Sequence, residues 1–362
     1  MKRMTAMLLV LVLAISVLAG CGSKTNEETT TTAQAETTTQ QTTTETTTAE
    51  TTTETTTEAT TEAPVAKADV NIAALKGPTV IGMTKVVADA AEGNTANNYN
   101  FTIAGAADEI TGSLVKGEIQ IAAVPTNLAS VLYNKTQGAL KIAAVNTLGV
   151  LYILENGETI QSVADLKGKT IYAMGQGTTP EYTLRFMLSQ NGLDPDKDVT
   201  IEFKSEATEV VGVLAKTEGA IGMLPQPQVT AAMMQNEKLR VALDVTKEWE
   251  SSVDNGSTVT TGCLLVNAAW AAENPEVLEA FLEEYKASVE FVNNNVDEAA
   301  QMLEKLDLFK AGVVKKAIPM CNIVFLTGDD MKTKVSGYLK VLFDQNPQAV
   351  GGQLPDDGLF LE

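Results

Sequence analysis

Short apolar runs rich in β-branched residues recur along most of the chain, separated by stretches in which apolar residues return every three or four positions. The first pattern predicts strands and the second predicts helices, so their alternation predicts βαβ units and parallel sheets. Residues 70–75 (VNIAAL), 99–104 (YNFTIA), 118–124 (EIQIAAV) and 140–145 (LKIAAV) form one group of strands. A crossing segment, GVLYILENG, leads to a second group at 169–175 (KTIYAMG), 199–203 (VTIEF), 219–224 (GAIGML) and 239–245 (LRVALDV). VTTGCLLVN then opens a remainder with mostly helical periodicity.

The amino-terminal part has neither pattern. Lys2 and Arg3 precede an apolar run from Ala6 to Ile15 that closes on Leu18-Ala19-Gly20-Cys21. A basic flank, a short apolar run and small residues before a cleavage point predict a secretory signal over residues 1–20, too short for a settled membrane span. The closing four residues resemble a bacterial lipobox, which implies that Cys21 is diacylated and becomes the mature amino terminus. The rest of the segment 21–67 is Thr and Glu with almost nothing apolar. It cannot bury enough surface to offset the entropy of ordering, and is expected to be a disordered tether reaching about 35–40 Å.

Composition narrows the function classes. A chain of 362 residues with 44% hydrophobic content accommodates about two domains with real cores. It carries 46 acidic and 26 basic residues, a net charge of −20, and losing Lys2 and Arg3 makes it more acidic still. Such a surface repels nucleic acid and anionic lipid, so membrane attachment is expected through acyl chains alone and no nucleic-acid partner is expected. There is no histidine, which removes the commonest general base and the commonest transition-metal ligand. No carboxylate pair, Cys-x-x-Cys or Ser-Lys arrangement is convincingly placed. The expectation is therefore no catalytic residue, no metal and no cofactor. Cys263 and Cys321 sit in contexts that favour buried free thiols, although pairing in an exported protein remains open.

The two strand groups are related. DEITGSLVKGEIQIAAVPTNLASVL aligns with TEVVGVLAKTEGAIGMLPQPQVTAAM, placing Glu109, Gly112, Leu114 and Lys116 opposite Glu209, Gly212, Leu214 and Lys216. A repeat at this distance predicts two similar α/β lobes rather than a solenoid. Ligands of open parallel sheets bind beyond the carboxyl ends of the strands, so lobes facing each other there would enclose a cleft. The strand-end segments are KGPT (76–79), PTN (125–127), Asn146-Thr147, GQGTTP (175–180) and PQP (225–227), mostly amides, hydroxyls, glycines and prolines.

Within GQGTTPEYTLRF, Thr179 reads as an N-cap, Pro180 as the first helical residue and Glu181 as a first-turn acid. A helix start presents unpaired N–H groups, and Gly175 and Gly177 would admit a ligand to the backbone. No lysine follows as in a P-loop, and Pro180 stands where a dinucleotide fingerprint needs its third glycine.

From about Val70 to Leu361 the chain resembles the substrate-binding proteins of ABC importers, of the type that includes nitrate, taurine, alkanesulfonate and thiamine-precursor binders. The resemblance rests on ALKGPT, GEIQIAAVPTNLASVLYNK, NTLGVLYIL, VADLKGKTIYAMGQGTTPEYTLRFMLSQNGLDP and GMLPQPQVTAA. It implies a two-lobed, periplasmic-binding-protein-like α/β fold, each lobe a mostly parallel sheet flanked by helices, closing like a hinge on a small-molecule ligand. Lobe 1 would be 68–154 plus 246–362 and lobe 2 would be 155–245. The family's ligand loops fall on Thr79, Thr126, Asn127, Asn146, Gln176, Gly177, Thr178, Thr179 and Gln226, with Trp249 and Phe325 as candidate aromatic walls.

The implied partners are an ABC permease and its ATPase, and the implied location is the outer face of the cell membrane. Only Arg185 and Arg240 remain in the mature chain, which argues against a bidentate arginine clamp. An anionic cargo would be held by backbone N–H groups and the hydroxyls of Thr178 and Thr179, a neutral one by Asn127, Asn146 and Gln226. Two other classes stay open: an exported enzyme using the same cleft, and a surface sensory or adhesion module with a vestigial cleft. Family members that act as catalysts in pyrimidine synthesis depend on histidines, which this chain lacks.

Overall fold

The computed structural model describes residues 67–362. The expected signal peptide (1–20), the lipidated Cys21 and the tether as far as residue 66 lie outside the described residues. The first stretch holds β1 (Asp69–Leu75), α1 (Pro78–Ile81), α2 (Thr84–Ala91), β2 (Asn98–Ala104), α3 (Asp108–Lys116), β3 (Ile121–Pro125), α4 (Thr126–Thr136) and β4 (Leu140–Leu148). Next come β5 (Leu151–Glu155), β6 (Thr170–Met174), α5 (Thr179–Gln190), β7 (Thr200–Lys204), α6 (Ala207–Lys216), β8 (Ile221–Pro225), α7 (Gln228–Gln235) and β9 (Arg240–Asp244). The remainder is α8 (Val245–Ser252), β10 (Thr260–Asn267), α9 (Ala268–Glu273), α10 (Pro275–Asn294), α11 (Val296–Lys305), α12 (Ala311–Ala317), β11 (Ile323–Leu326) and α13 (Gly328–Gln345).

The strands form two sheets, ordered β11-β4-β10-β3-β1-β2 and β7-β6-β8-β5-β9. In each, the strands of one sequence group all point the same way. β1 is parallel to β2 and β3, and β6 to β7 and β8. β10 is antiparallel to both β3 and β4, and β5 is antiparallel to both β8 and β9. The sheets thus repeat one plan, four co-directional strands with an opposed strand inserted beside the third.

Chain routing explains the opposed strands. β4 leaves the carboxyl end of the first sheet and runs straight on into β5; β9 leaves the second sheet in the same way and returns through α8 to β10. Each inserted strand enters its new sheet from that sheet's carboxyl end, so it must run against its neighbours. The segment expected merely to cross is therefore a full strand. The short β11, which pairs antiparallel with β4 at the sheet edge, had no counterpart among the expected strands.

Period-two alternation decides which side chains meet which helices. Val70, Ile72, Ala74, Ile121, Ala123, Leu264 and Val266 join one core with α2, α10, α11 and α12, contributed by Val86, Phe281, Tyr285, Leu303 and Val314. Ala73, Ala122, Val124, Cys263 and Leu265 face the other side and pack against α3, α4 and α13 through Leu114, Leu132, Val335 and Leu339. In the second sheet Ile153, Ile171 and Met223 meet α5 through Leu184 and Leu188. Tyr152, Leu154 and Leu224 meet α6 and α7 through Val210, Leu214 and Val229. Each sheet is thus covered on both faces, which is why its strands read as continuous apolar runs. The internal repeat corresponds to α3-β3-α4 in one sheet and α6-β8-α7 in the other.

Cys263 and Cys321 are both buried and unpaired. Where the chain crosses between sheets there is no spare room: a Cβ on Gly149 would lie 1.8 Å from Thr246 Oγ1 and 3.0 Å from Val259 Cβ. The outgoing and returning connections are therefore in direct contact.

Candidate functional site

A cavity of about 740 Å³ is lined from both sheets and from both connections between them. That volume falls within the range of small-molecule sites. The end of β1 contributes Lys76, Gly77 and Pro78, and the end of β3 contributes Pro125 and Asn127. The second sheet answers with Thr178, Thr179 and Pro180 before and within α5, and with Pro225, Gln226, Pro227 and Gln228 after β8. Pro125 and Pro225, equivalent in the repeat, both reach the lining. The connections supply Val150, Leu151, Val259, Thr260 and Thr261, and the carboxyl-terminal part of the chain adds Leu308, Phe309, Val313 and Tyr338. The result is a mainly apolar cleft in which Lys76, exposed to water, is the one charged residue of the lining.

Of the nine residues proposed from the sequence, Asn127, Thr178, Thr179 and Gln226 line this cleft. Thr79, Thr126 and Asn146 are buried just behind it. Thr79 donates its hydroxyl to Leu75 O (3.1 Å), and Asn146 Oδ1 accepts from Thr147 Oγ1 (3.0 Å). A Cβ on Gly262 would strike both Thr79 Cγ2 (2.4 Å) and Asn146 Oδ1 (2.6 Å), so glycine at this point of β10 lets the two converge. Gln176 and Gly177 are exposed and stand outside the lining. Of the two candidate aromatic walls, Trp249 is wholly buried, packing between Phe186 (4.1 Å) and Tyr338 (5.6 Å) and donating Nε1–H to Ser257 Oγ (3.2 Å). Phe325 stands 6.0 Å from Tyr285, beside the first sheet and away from the cleft.

The start of α5 is more heavily engaged than the sequence implied. The cap is Thr178 rather than Thr179, and Pro180 is the second helical residue. Gly177 N–H donates to Glu181 Oε2 (2.7 Å), and Thr178 N–H donates to Gly175 O (3.0 Å). The Thr178 hydroxyl also donates to Gly175 O (2.5 Å). Glu181 is buried and its Oε1 accepts from Arg185 Nε (2.7 Å), while Arg185 Nη1 donates to Asp196 Oδ1 (2.8 Å). The loop is also tied across the cleft. Tyr182 Oη donates to Gly177 O (2.9 Å) and accepts from Asn346 Nδ2 (2.6 Å), just past α13.

Gln226 is similarly committed. Its Oε1 accepts from Thr230 Oγ1 (2.9 Å), and its Nε2 donates to Met320 Sδ (3.2 Å). It holds the β8 end in place against the short turn at Ile318–Met320 that precedes β11.

Several polar atoms at the cleft have no partner. Thr260 Oγ1, Tyr338 Oη and Gln228 Oε1 on the lining, and Thr126 Oγ1 and Asn146 Nδ2 behind it, are buried without a hydrogen bond. A buried polar group without a partner costs about 1–3 kcal/mol, so such a concentration is expected where a ligand completes the bonding. Burial pushes the Tyr338 hydroxyl above its ordinary range, and the Thr183 and Thr179 hydroxyls of α5 lie close enough to counter part of that push without meeting hydrogen-bond geometry. Tyr338 therefore stays protonated and able to donate. Thr260, Gln228, Tyr338 and the Leu308-Phe309-Val313 cluster were not singled out from the sequence, and Lys76 only as part of its loop. Gln228 follows directly on the quoted PQP, whereas the apolar cluster carried no signal beyond ordinary helical periodicity.

Comparisons with known proteins agree with this architecture. Residues 135–299 match a family model described as NMT1/THI5 like. Among curated proteins, none matches the chain significantly. Among solved structures, an ABC transporter protein from Parabacteroides distasonis is 24% identical, with a TM-score of 0.68 over 81% of this chain and 98% of its own. The periplasmic aliphatic sulphonate binding protein from Escherichia coli is 16% identical, with a TM-score of 0.62 over 80% of this chain and 94% of its own. The ligand-binding component of an ABC-type import system from Staphylococcus aureus gives 13% and 0.58, over 80% and 97%. The fold is that of the periplasmic binding proteins, and the two-lobed α/β class expected from the sequence holds.

Proposed function

We propose that the protein is the solute-binding receptor of an ABC importer, capturing a small organic molecule between its lobes and delivering it to a membrane permease powered by an ATPase. One observation carries this reading: buried, unpartnered hydroxyl and amide groups gather at an otherwise apolar cleft between two strand-end surfaces. The family-model match and the import proteins among the structural neighbours support it. Lobe 1 is then 68–150 plus 246–362 and lobe 2 is 151–245, a boundary earlier than the expected 154 because β5 pairs within the second sheet, and the lobes meet at the paired connections. In this reading Cys21 carries the lipid anchor, and the Thr- and Glu-rich tether presents the receptor on the outer face of the membrane.

The site holds its guest and leaves it unchanged. Lys76 is the only titratable group of the lining besides the protonated Tyr338, and neither is set against a second group that could share acid–base work.

The test is thermal stabilisation of the purified protein by a panel of sulfonates, nitrate, pyrimidines, amides and vitamins. A solute at a hundred times its dissociation constant stabilises by about 2.7 kcal/mol. Thr260→Val and Tyr338→Phe are expected to weaken the response to the active solute by about tenfold each, near 1.4 kcal/mol. Absence of any response across the panel, or a response indifferent to both substitutions, would remove the cleft as the receptor site.

A further inference from the structure

We propose that Glu181 sets the charge selectivity of the cleft: its carboxylate occupies the start of α5 from within, so the site admits uncharged organic solutes and turns away oxyanions. This rests on the cleft being the solute site.

A helix of twelve residues whose first turn borders a cleft is ordinarily suited to an anion, through its free N–H groups and positive dipole end. In α5 the dipole end and part of that N–H set are already engaged, by a Glu181 carboxylate that lies beside the lining rather than on it. Gly177 N–H is bonded to Glu181 Oε2, Thr178 N–H to Gly175 O, and Pro180 has no N–H. That leaves the N–H groups of Thr179 and Glu181, with a carboxylate held beside them.

Arg185 is the cationic partner of this carboxylate, but the same guanidinium also donates to Asp196, so the trio of Glu181, Arg185 and Asp196 keeps a net negative charge, part of it on an Asp196 side chain open to water. Glu181 is 9% exposed, and water screens it poorly. Lys76 is the one opposing charge in the lining, and being exposed it has little hold on an anion.

Of the unpartnered groups on the lining, Gln228 points the same way, while Asn146 Nδ2, behind the lining, is a donor without a partner. Gln228 Oε1 is an acceptor that needs a donor from the guest, which a sulfonate or nitrate lacks. Thr260 and Tyr338, 0% and 1% exposed, present hydroxyls able to donate or accept. An amide, lactam or hydroxylated neutral molecule with an apolar body satisfies all three, with Phe309, Leu308 and Val313 against that body.

Isothermal titration of the full chain with ethanesulfonate and with nitrate tests the proposal in wild type, Glu181→Gln and Glu181→Ala. Gln keeps an acceptor for Gly177 N–H and removes only the charge; Ala also frees the N–H. Wild type is expected to give no saturable heat. Both variants are expected to gain saturable binding, at least about tenfold tighter than the wild-type limit and weakened by added chloride. The proposal is overturned if wild type binds either anion and the variants differ by less than about threefold. It is equally overturned if both folded variants stay silent. Circular-dichroism melting establishes folding, and if Ala does not fold, Gln decides alone. A gain in the variants stands whether or not a wild-type solute is found, so failure of the receptor reading, seen as no stabilisation by any neutral solute, is read separately.

Discussion

Gly175 and Gly177 both have positive φ, 80° and 72°, where a Cβ costs about 1–2 kcal/mol. Their surroundings differ. A Cβ on Gly177 meets nothing within 4 Å, whereas one on Gly175 would lie 2.7 Å from Thr178 Oγ1 and 3.1 Å from Pro180 Cγ. Gly177→Ala should therefore lower stability by about 1 kcal/mol and leave the loop in place, while Gly175→Ala should cost more and dislodge Thr178; urea unfolding of both variants distinguishes them. The sequence showed two glycines before a helix and suggested that both open the backbone to a ligand. It could not show that Glu181 folds back onto that N–H, because a first-turn acid serves equally as a dipole partner, a solvated side chain or an internal cap. The thiols of Cys263 and Cys321 are each pushed up to about 12 by burial. Neither should react with iodoacetamide at neutral pH until the protein is unfolded, as peptide mass mapping would reveal.

Among the elements, β5 and β9 are joined by a charge pair that the strand pattern alone did not disclose. Glu155 is fully buried, accepting from Arg240 Nη2 (2.5 Å), Thr159 Oγ1 (2.5 Å), Thr159 N–H (2.8 Å) and Ile160 N–H (3.1 Å). Burial pushes this carboxyl up, but these donors outweigh it and hold it below its ordinary value. A lowered folded-state value means the stabilisation is present above the usual carboxylate range and is lost as pH falls through the folded one. Arg240→Met leaves the carboxylate buried without its cation and should cost about 3 kcal/mol at neutral pH. It should also move the onset of acid unfolding to higher pH; melting curves between about pH 3 and pH 7 follow both effects.

Strand positions in both groups were legible because sheets covered on both faces demand continuous apolar runs. Pairing was not: nothing in GVLYILENG distinguishes a connection from a strand inserted between β8 and β9, since period and propensity do not name a partner. The cleft face of the Leu308-Phe309-Val313 cluster was hidden for a related reason, an apolar stripe being read as core wherever it occurs.

At the scale of the molecule, the two connections between the sheets touch at Gly149, Thr246 and Val259. Gly149→Ala would force them apart and should destabilise by about 2 kcal/mol or more. If the lobes move as the receptor reading requires, the same change should alter solution compactness with and without ligand, measurable by small-angle scattering.

The inserted strand has a consequence for how the chain reaches its native state. β4 is flanked in the finished sheet only by β10 and β11. Both are made after the whole of the second sheet, so β4 emerges with neither edge covered and must wait while the intervening lobe assembles. The second sheet is built from one uninterrupted stretch and has no such delay. The chain therefore carries a sticky, unmatched strand through much of its folding. Pulsed hydrogen exchange during refolding should find the amides of β4 and β10 gaining protection together, after those of β6 and β8.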